Sequence, residues 1–397
     1  MPSTPEPSAR PCRADSTTDV KNGRLRIDFV DSLRGLAALY VVVHHLLIYF
    51  WPPWGVPPHN PLVRAANEFF FFGRYAVAVF IVLSGFCLAL PVVKEGRMRH
   101  TFGQFIRRRA RRILPPYYAT LVLSLLFIAA TGTALTGTIW DDSITLSWLG
   151  VIANSLAVQN WFGAHVFGQI NYVLWSVAVE WHIYFFFPLI LWLWARTGSR
   201  ALATCLILPL TTALGWLWKG GHWAYHNIQF LGLFAVGMFA ANLAITKSTS
   251  AALRHTTLAL TALGGIGVVV TSAQLGFLRA IHLWPVLDLL VGLTAAAFLV
   301  YLVHSPASLL RRILCFKPLV AVGIFSYSIY LVHAPIIQGL WLLSTKVLHL
   351  SFFPSLGIML GIGLPAIVGF AYAFHLVFEK PFLHLPDKPQ TAFSPAP

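Results

Sequence analysis

Long apolar runs recur along the chain, separated by short polar breaks. Ten of them approach the roughly 20 residues that a helix needs to cross a bilayer. They fall at about 29–51, 72–93, 116–136, 172–195, 201–218, 228–246, 256–273, 284–303, 318–343 and 353–378. The stretch 137–171 is too polar and too broken to span. It holds Asp141, Asp142, Asn154, Gln159, Asn160 and His165, and is expected outside the membrane and partly re-entrant, where irregular backbone must line protein or water. The pattern predicts an all-α, polytopic membrane helix bundle of about ten transmembrane helices. Residues 1–26 are rich in Pro, Ser, Thr and Arg and have no apolar run, so they are expected to form a disordered cytoplasmic tail. A transmembrane domain follows over 27–385, then a short cytoplasmic tail over 386–397. The tail lacks the apolar core of a cleaved signal peptide, so the first span is expected to serve as an uncleaved anchor.

Composition agrees with lipid as the solvent. Of 397 residues, 57% are hydrophobic and 10% charged, against roughly 25% charged in a soluble domain. The net charge of +15 would suggest nucleic acid in a soluble protein, but its placement points elsewhere. With the N-terminus in the cytoplasm, only Arg64, Arg74, Lys219, Arg279 and Lys346 of the 28 Lys and Arg fall outside, and Arg34 lies within a span. That asymmetry predicts both termini inside. No nucleic-acid partner is expected; membrane lipids are. The four cysteines, Cys12, Cys87, Cys205 and Cys315, suggest neither a disulfide nor a metal site.

An ionisable side chain inside the hydrocarbon region is costly, so each one asks for a role. The first span carries Asp31, Arg34, His44 and His45. Eleven residues separate Arg34 from His45, which places them about 20° apart around the helix and about 16 Å apart along it. Asp31 lies near the same face, and His44 points about 100° away. One polar stripe thus runs from Asp31 and Arg34 up to His45. As a reaction path, it offers His45 as general base. The alternative is a buried Asp31–Arg34 pair with His45 bonded to a neighbouring helix. Glu180 in the fourth span is expected to orient or charge-pair His45 or Arg34, or to bind an acceptor, unless it is a protonated acid bonded within the bundle. Ser84 and Gly85 are read as close-packing residues. The run Arg107–Arg108–Arg109–Ala110–Arg111–Arg112 exceeds what orientation needs. Guanidinium forks suit the phosphates of coenzyme A, though anionic lipid headgroups would serve them too.

Together these segments resemble the acyltransferase-3 family of integral membrane O-acyltransferases. The resemblance rests on Arg34, ten residues, then His45; on Phe80…Ser84–Gly85–Phe86; on Arg108–Arg109–Ala110–Arg111–Arg112–Ile113–Leu114–Pro115; on Trp175–Ser176–Val177–Ala178–Val179–Glu180; and on Ser326–Tyr327–Ser328–Ile329–Tyr330–Leu331–Val332–His333. It covers roughly residues 26–385, in order. It implies acyl-CoA, acetyl-CoA first, as co-substrate on the cytoplasmic side, with no metal. It implies a carbohydrate hydroxyl as acceptor, on a surface polysaccharide, lipid-linked glycan or glycosylated metabolite, and a bacterial cytoplasmic (inner) membrane location. Carried over by motif, His45 takes the base role, Arg34 a supporting one, and Arg109 and Arg112 donor binding; the reading of the residues adds Glu180 to the catalytic candidates. Arg108, Arg109 and Arg112 are the donor-binding candidates, and Asp31, Trp175, Ser176 and His333 the substrate-binding ones. His44 and His182 depart from the family pattern. Some members carry a soluble hydrolase-like domain after the bundle; this chain ends about twelve residues past the match and is expected to lack it.

The expected reaction is direct attack on the thioester by an acceptor hydroxyl that His45 deprotonates, with Arg34 steadying donor charge or the oxyanion; a covalent acyl-His45 variant is equally compatible. The rival class is a secondary transporter or flippase for a glycan or acyl intermediate, in which the same residues would relay protons. A non-catalytic polysaccharide-assembly subunit would not depend on His45.

Overall fold

The computed structural model describes residues 19–21, 24–51, 59–219, 222–247 and 249–383. Eleven helical segments carry the architecture. They are α1 (Asp28–Ile48), α2 (Gly73–Glu95), α3 (Phe102–Thr131), α4 (Trp175–Thr197), α5 (Arg200–Trp218), α6 (Gln229–Thr246), α7 (Ala251–Ala280), α8 (Trp284–His304), α9 (Lys317–Ile324), α10 (Ser326–Leu342) and α11 (Phe352–Leu383). Among the described residues, nine helices are long and apolar enough to cross a membrane, and ten if the pair α9–α10, bent by 71°, is one span. The chain is an integral membrane helix bundle. Of the expected N-terminal tail, Asp19–Lys21 and Arg24–Arg26 pair as a short antiparallel ribbon, and residues 1–18 lie outside the described residues, as does the expected C-terminal tail.

Local signals set the helix ends. Ser199 and Ser250 cap α5 and α7 by accepting from Leu202 and Leu253 backbone N–H groups. Gly96 and Gly198 end α2 and α4 with φ of 71° and 64°, a left-handed turn that glycine adopts without strain. One boundary differs from the sequence expectation. The basic run Lys94–Arg112 reads as a loop, but α3 starts at Phe102, where Thr101 and Gln104 form a capping box. Arg107 to Arg112 therefore project from a helix, because arginine is a good helix former and the cap nucleates the first turn. Pro115 and Pro116 sit inside α3.

Glycines bring the central helices together. A Cβ on Gly85 of α2 would lie 2.1 Å from the Phe234 carbonyl oxygen of α6, and one on Gly237 would lie 2.1 Å from that of Val82. The two glycines thus let α2 and α6 cross at backbone contact. α1 crosses α9 in the same way: a Cβ on Gly323 would lie 1.9 Å from the Asp31 carbonyl oxygen. These crossings fix α1 and α2 side by side in the interior. α7, by contrast, exposes Leu260, Leu263, Ile266 and Val269 along a face suited to lipid.

The stretch 137–171 folds against the core. Trp140, Ser143, Asn154, Gln159 and Asn160 are buried, and short helices form at Asp141–Ile144, Trp148–Ser155 and Ala164–Phe167. The Asp141 carboxylate accepts from the Thr136 and Gly137 backbone N–H groups, at 2.8 Å each, and ties off the turn that leads into it.

Candidate functional site

α1, α2, α4 and α10 surround a cavity of about 40 Å³. Arg34, Val77, Phe80, Ile81, Ser176, Val177, Glu180, Ser326, Tyr327 and Tyr330 line it. The polar stripe of α1 therefore faces protein rather than lipid. It serves two separate groups, one at each end.

The lower group gathers around Arg34. Glu180, Asp31 and Tyr184 all act on its charge. The Glu180 carboxylate accepts from the Tyr184 hydroxyl at 2.5 Å, and the Tyr184 oxygen lies 3.0 Å from Ser84 Oγ. With the Tyr184 proton given to Glu180, Ser84 must be the donor in the second bond. Ser84, expected to be only a packing residue, is thus the end of a short relay. Arg109 joins from α3. Its guanidinium carbon lies 5.7 Å from the Phe105 ring centre and 5.8 Å from that of Tyr184. Among the described residues, Arg109 Nε is buried and has no hydrogen-bond partner. Arg112 adds a second positive charge beside it, while Arg107 and Arg108 are exposed. An unpaired guanidinium N–H flanked by further arginines fits an anionic oxygen such as a phosphate's. Glu180 belongs to this group and not to His45. Asp31 lies outside the cavity lining.

The upper group contains His45. Its Nδ1 lies 3.0 Å from His333 Nε2, and His333 Nδ1 lies 2.7 Å from the Tyr330 carbonyl oxygen. A carbonyl only accepts, so His333 Nδ1 carries a proton. In a neutral imidazole, His333 Nε2 is then the acceptor, and His45 Nδ1–H donates to it. His45 Nε2 is left with its lone pair. The Tyr172 ring centre lies 5.1 Å from that of His45. His44 is engaged elsewhere. Its Nδ1–H donates to the Phe70 carbonyl at 2.8 Å, and the ring wedges against Gly73, where a Cβ would come within 2.2 Å. The phase of the helix thus separates the two histidines, as the 100° turn per residue requires.

Tyr330 stands between the groups. It lines the cavity, bonds Ser176 Oγ at 2.6 Å, and its ring centre lies 5.7 Å from that of His333. Trp175 turns away from the cavity. It stacks on Phe167 and Phe230 at 5.5 and 6.2 Å, and its ring centre lies 5.6 Å from the Arg74 guanidinium carbon. His182 packs on Trp161, 5.9 Å between ring centres.

The sequence signals for this family now have a geometry. The acyltransferase-3 sequence model, described as an acyltransferase domain, matches residues 27–375. The chain belongs to the acyltransferase-3 family. It is similar to a peptidoglycan O-acetyltransferase of Listeria monocytogenes, 24% identical over 83% of this chain and 51% of that protein. It is also similar to an acyltransferase of Streptomyces mycarofaciens, 30% identical over 36% of each chain. The chain thus spans about half the length of the Listeria relative, and its match to the Streptomyces one is shorter. No solved structure matches it.

Sequence reasoning missed several members of this acyltransferase-3 bundle. His333 was placed with the substrate-binding residues, yet it contacts His45 directly. Its signal was its position three residues after Tyr330, whose carbonyl fixes its tautomer. Tyr184 follows Glu180 by four residues, one helical turn, and was readable as its partner. His375 and Glu379, near the end of the last span, are both buried. Glu379 accepts from His375 Nδ1 at 2.8 Å and from Ser328 Oγ at 2.6 Å, on a π-helical turn at His375–Glu379. His304 is likewise buried, and its Nδ1 lies 3.0 Å from Thr249 Oγ1.

Proposed function

We propose that this protein transfers an acyl group, acetyl first, from acyl-CoA to a hydroxyl of a carbohydrate, with His45 Nε2 as the base. The single observation that carries this reading is the His45–His333–Tyr330 chain, which leaves a lone pair on His45 Nε2 inside the bundle. Family membership supports the reaction class, and the names of the relatives support O-acetylation of a glycan such as peptidoglycan. The orphaned Arg109 Nε, with Arg112 beside it, supports docking of the donor's phosphates at the basic start of α3. The positive-inside pattern supports a cytoplasmic placement of that end, and the bacterial relatives support a bacterial inner membrane.

The acceptor hydroxyl gives its proton to His45 Nε2 as its oxygen attacks the thioester carbonyl. The tetrahedral intermediate collapses, the C–S bond breaks, and the proton held by His45 passes to the departing thiolate. The products are an ester and free CoA. His333 holds the His45 ring in the tautomer that can accept the proton. Arg34 and Glu180 act on the donor arm at the lower end of the stripe. The cavity of about 40 Å³ has room for about three waters rather than a thioester arm. Entry of the donor therefore requires Tyr330 to leave Ser176.

The test is transfer of a labelled acetyl group from acetyl-CoA to glycan acceptors by the purified protein. It is paired with mass spectrometry of surface glycans from cells with and without the gene. A lost acetyl increment and labelled ester support the reading; unchanged glycans and no transfer overturn it. Arg109→Gln is expected to raise the KM for acetyl-CoA about tenfold with kcat nearly kept, as loss of one charge-assisted contact to a phosphate implies. An unchanged KM would remove Arg109 from the donor site.

A further inference from the structure

The reaction develops negative charge on the former carbonyl oxygen, and something within contact distance of His45 must hold it. Arg34, the cation of the same helix, lies about 16 Å along the axis and cannot reach that oxygen. The surroundings of His45 hold another set of groups. Tyr172, Tyr49 and Trp140 are all buried, with 6%, 8% and 1% of their surfaces exposed. Among the described residues, Nε1 of Trp140 has no hydrogen-bond partner, and the Tyr49 and Tyr172 hydroxyls face only each other and Thr138, without good hydrogen-bond geometry. They form one neighbourhood. The Tyr172 ring lies 5.1 Å from His45 and 6.2 Å from Trp140, centre to centre, and the Tyr49 and Tyr172 hydroxyls are within reach of each other.

Buried Tyr and Trp polar atoms find a partner in nearly every protein, because leaving one unmade loses its bond to water and gains nothing. One orphaned indole N–H and two poorly satisfied phenols in a cluster that touches the His45 imidazole through Tyr172 point to a missing ligand. The indole N–H is only a donor, and the phenol O–H is a good one, so the ligand brings acceptor oxygens. Aromatic walls from Trp140, Tyr172 and Trp341, whose ring lies 6.4 Å from that of Tyr49, suit the flat apolar faces of a sugar ring. With Tyr49, which follows α1, these groups come from three distant parts of the chain: the end of the first span, residues 140–172 and the α10 segment.

We infer that Tyr172 Oη–H and Trp140 Nε1–H line an oxyanion and acceptor subsite beside His45, with Tyr172 donating to the oxygen that turns negative as the thioester carbonyl is attacked. Tyr49 extends the donor set toward the acceptor's other hydroxyls. The inference rests on the acyl-transfer reading above and adds the residues that stabilise its transition state.

Tyr172→Phe keeps the ring against His45 and removes only the hydroxyl. It is expected to lower kcat about 10²–10³-fold, the range seen when one oxyanion donor is deleted. The KM for acetyl-CoA is expected to stay within twofold, and the melting temperature in detergent to change little, because a hydroxyl with only a poorly aligned partner contributes little to lose. A structural hydroxyl would give the opposite pair, a lower melting temperature and a nearly normal kcat. Trp140→Phe is the second variant and is expected to lower kcat in the same direction. If wild-type protein transfers acetyl and Tyr172→Phe stays within twofold of it, the inference falls and the acyl-transfer reading stands. If wild-type protein transfers nothing to any acceptor, both fall.

Discussion

His45→Ala is expected to lose acyl transfer by 10³-fold or more, about the contribution of a positioned general base together with its orienting partner. The variant should still insert and accumulate, since the α1 crossing with α9 depends on Gly35 and Gly323 rather than on His45. His333 supplies the discriminating control. His333→Leu removes the acceptor of the His45 Nδ1–H and should lower kcat about 10²-fold with the acetyl-CoA KM unchanged. His333→Gln can return an amide oxygen to that proton, and it is expected to recover most of the loss. A merely structural histidine would not be rescued through kcat alone. Product analysis with labelled donor reads all three variants, and near-normal product from His45→Ala would overturn the assignment of the base.

The second large effect is on stability. Arg74, in the first turn of α2, donates from Nη2 to Asp288 Oδ2 at 2.8 Å and to Asn227 Oδ1 at 2.7 Å, and Gln229 Nε2 donates to the same Asp288 oxygen at 3.0 Å. Trp175, Phe230 and Trp284 surround the guanidinium, their ring centres 5.6, 4.9 and 4.6 Å from its central carbon. Asp288 is fully buried. Arg74→Met strands that carboxylate, and removing one member of such a pair costs about 3–5 kcal/mol. Thermal unfolding in detergent should show a large fall in melting temperature. Arg74→Met with Asp288→Leu should recover much of it, because the stranded charge is gone. A single variant as stable as wild type would refute the lock. The same network stacks Trp175 at the first residue of α4, so it also fixes the helix that carries Ser176 and Glu180.

Both predictions concern contacts between residues far apart in sequence, 288 and 214 positions, and that distance marks what was not legible. The ten apolar runs announced the spans, because a helix in lipid must satisfy every backbone group within itself and show apolar side chains outward. Helical phase on α1 put Arg34 and His45 on one side and turned His44 away, and the structure shows His44 bonded to the Phe70 carbonyl. Phase within a helix is local geometry, fixed at 100° per residue. Glu180 was visible as a buried carboxylate, but its choice of the Arg34 group over His45 was not.

By itself the sequence determined the solvent, the number of spans, the family and the side of α1 that carries Arg34 and His45. Those follow from composition and from periodicities of a few residues. Only the tertiary structure decided which side chain meets which. His333 reaches His45 across 288 residues, Asp288 reaches Arg74 across 214, and Glu379 reaches Ser328 across 51. Such pairings depend on how glycine crossings such as Gly85 with Gly237 and Gly35 with Gly323 set the helices against one another. Between spans of similar apolarity, no one-dimensional pattern records which neighbour a polar atom will find.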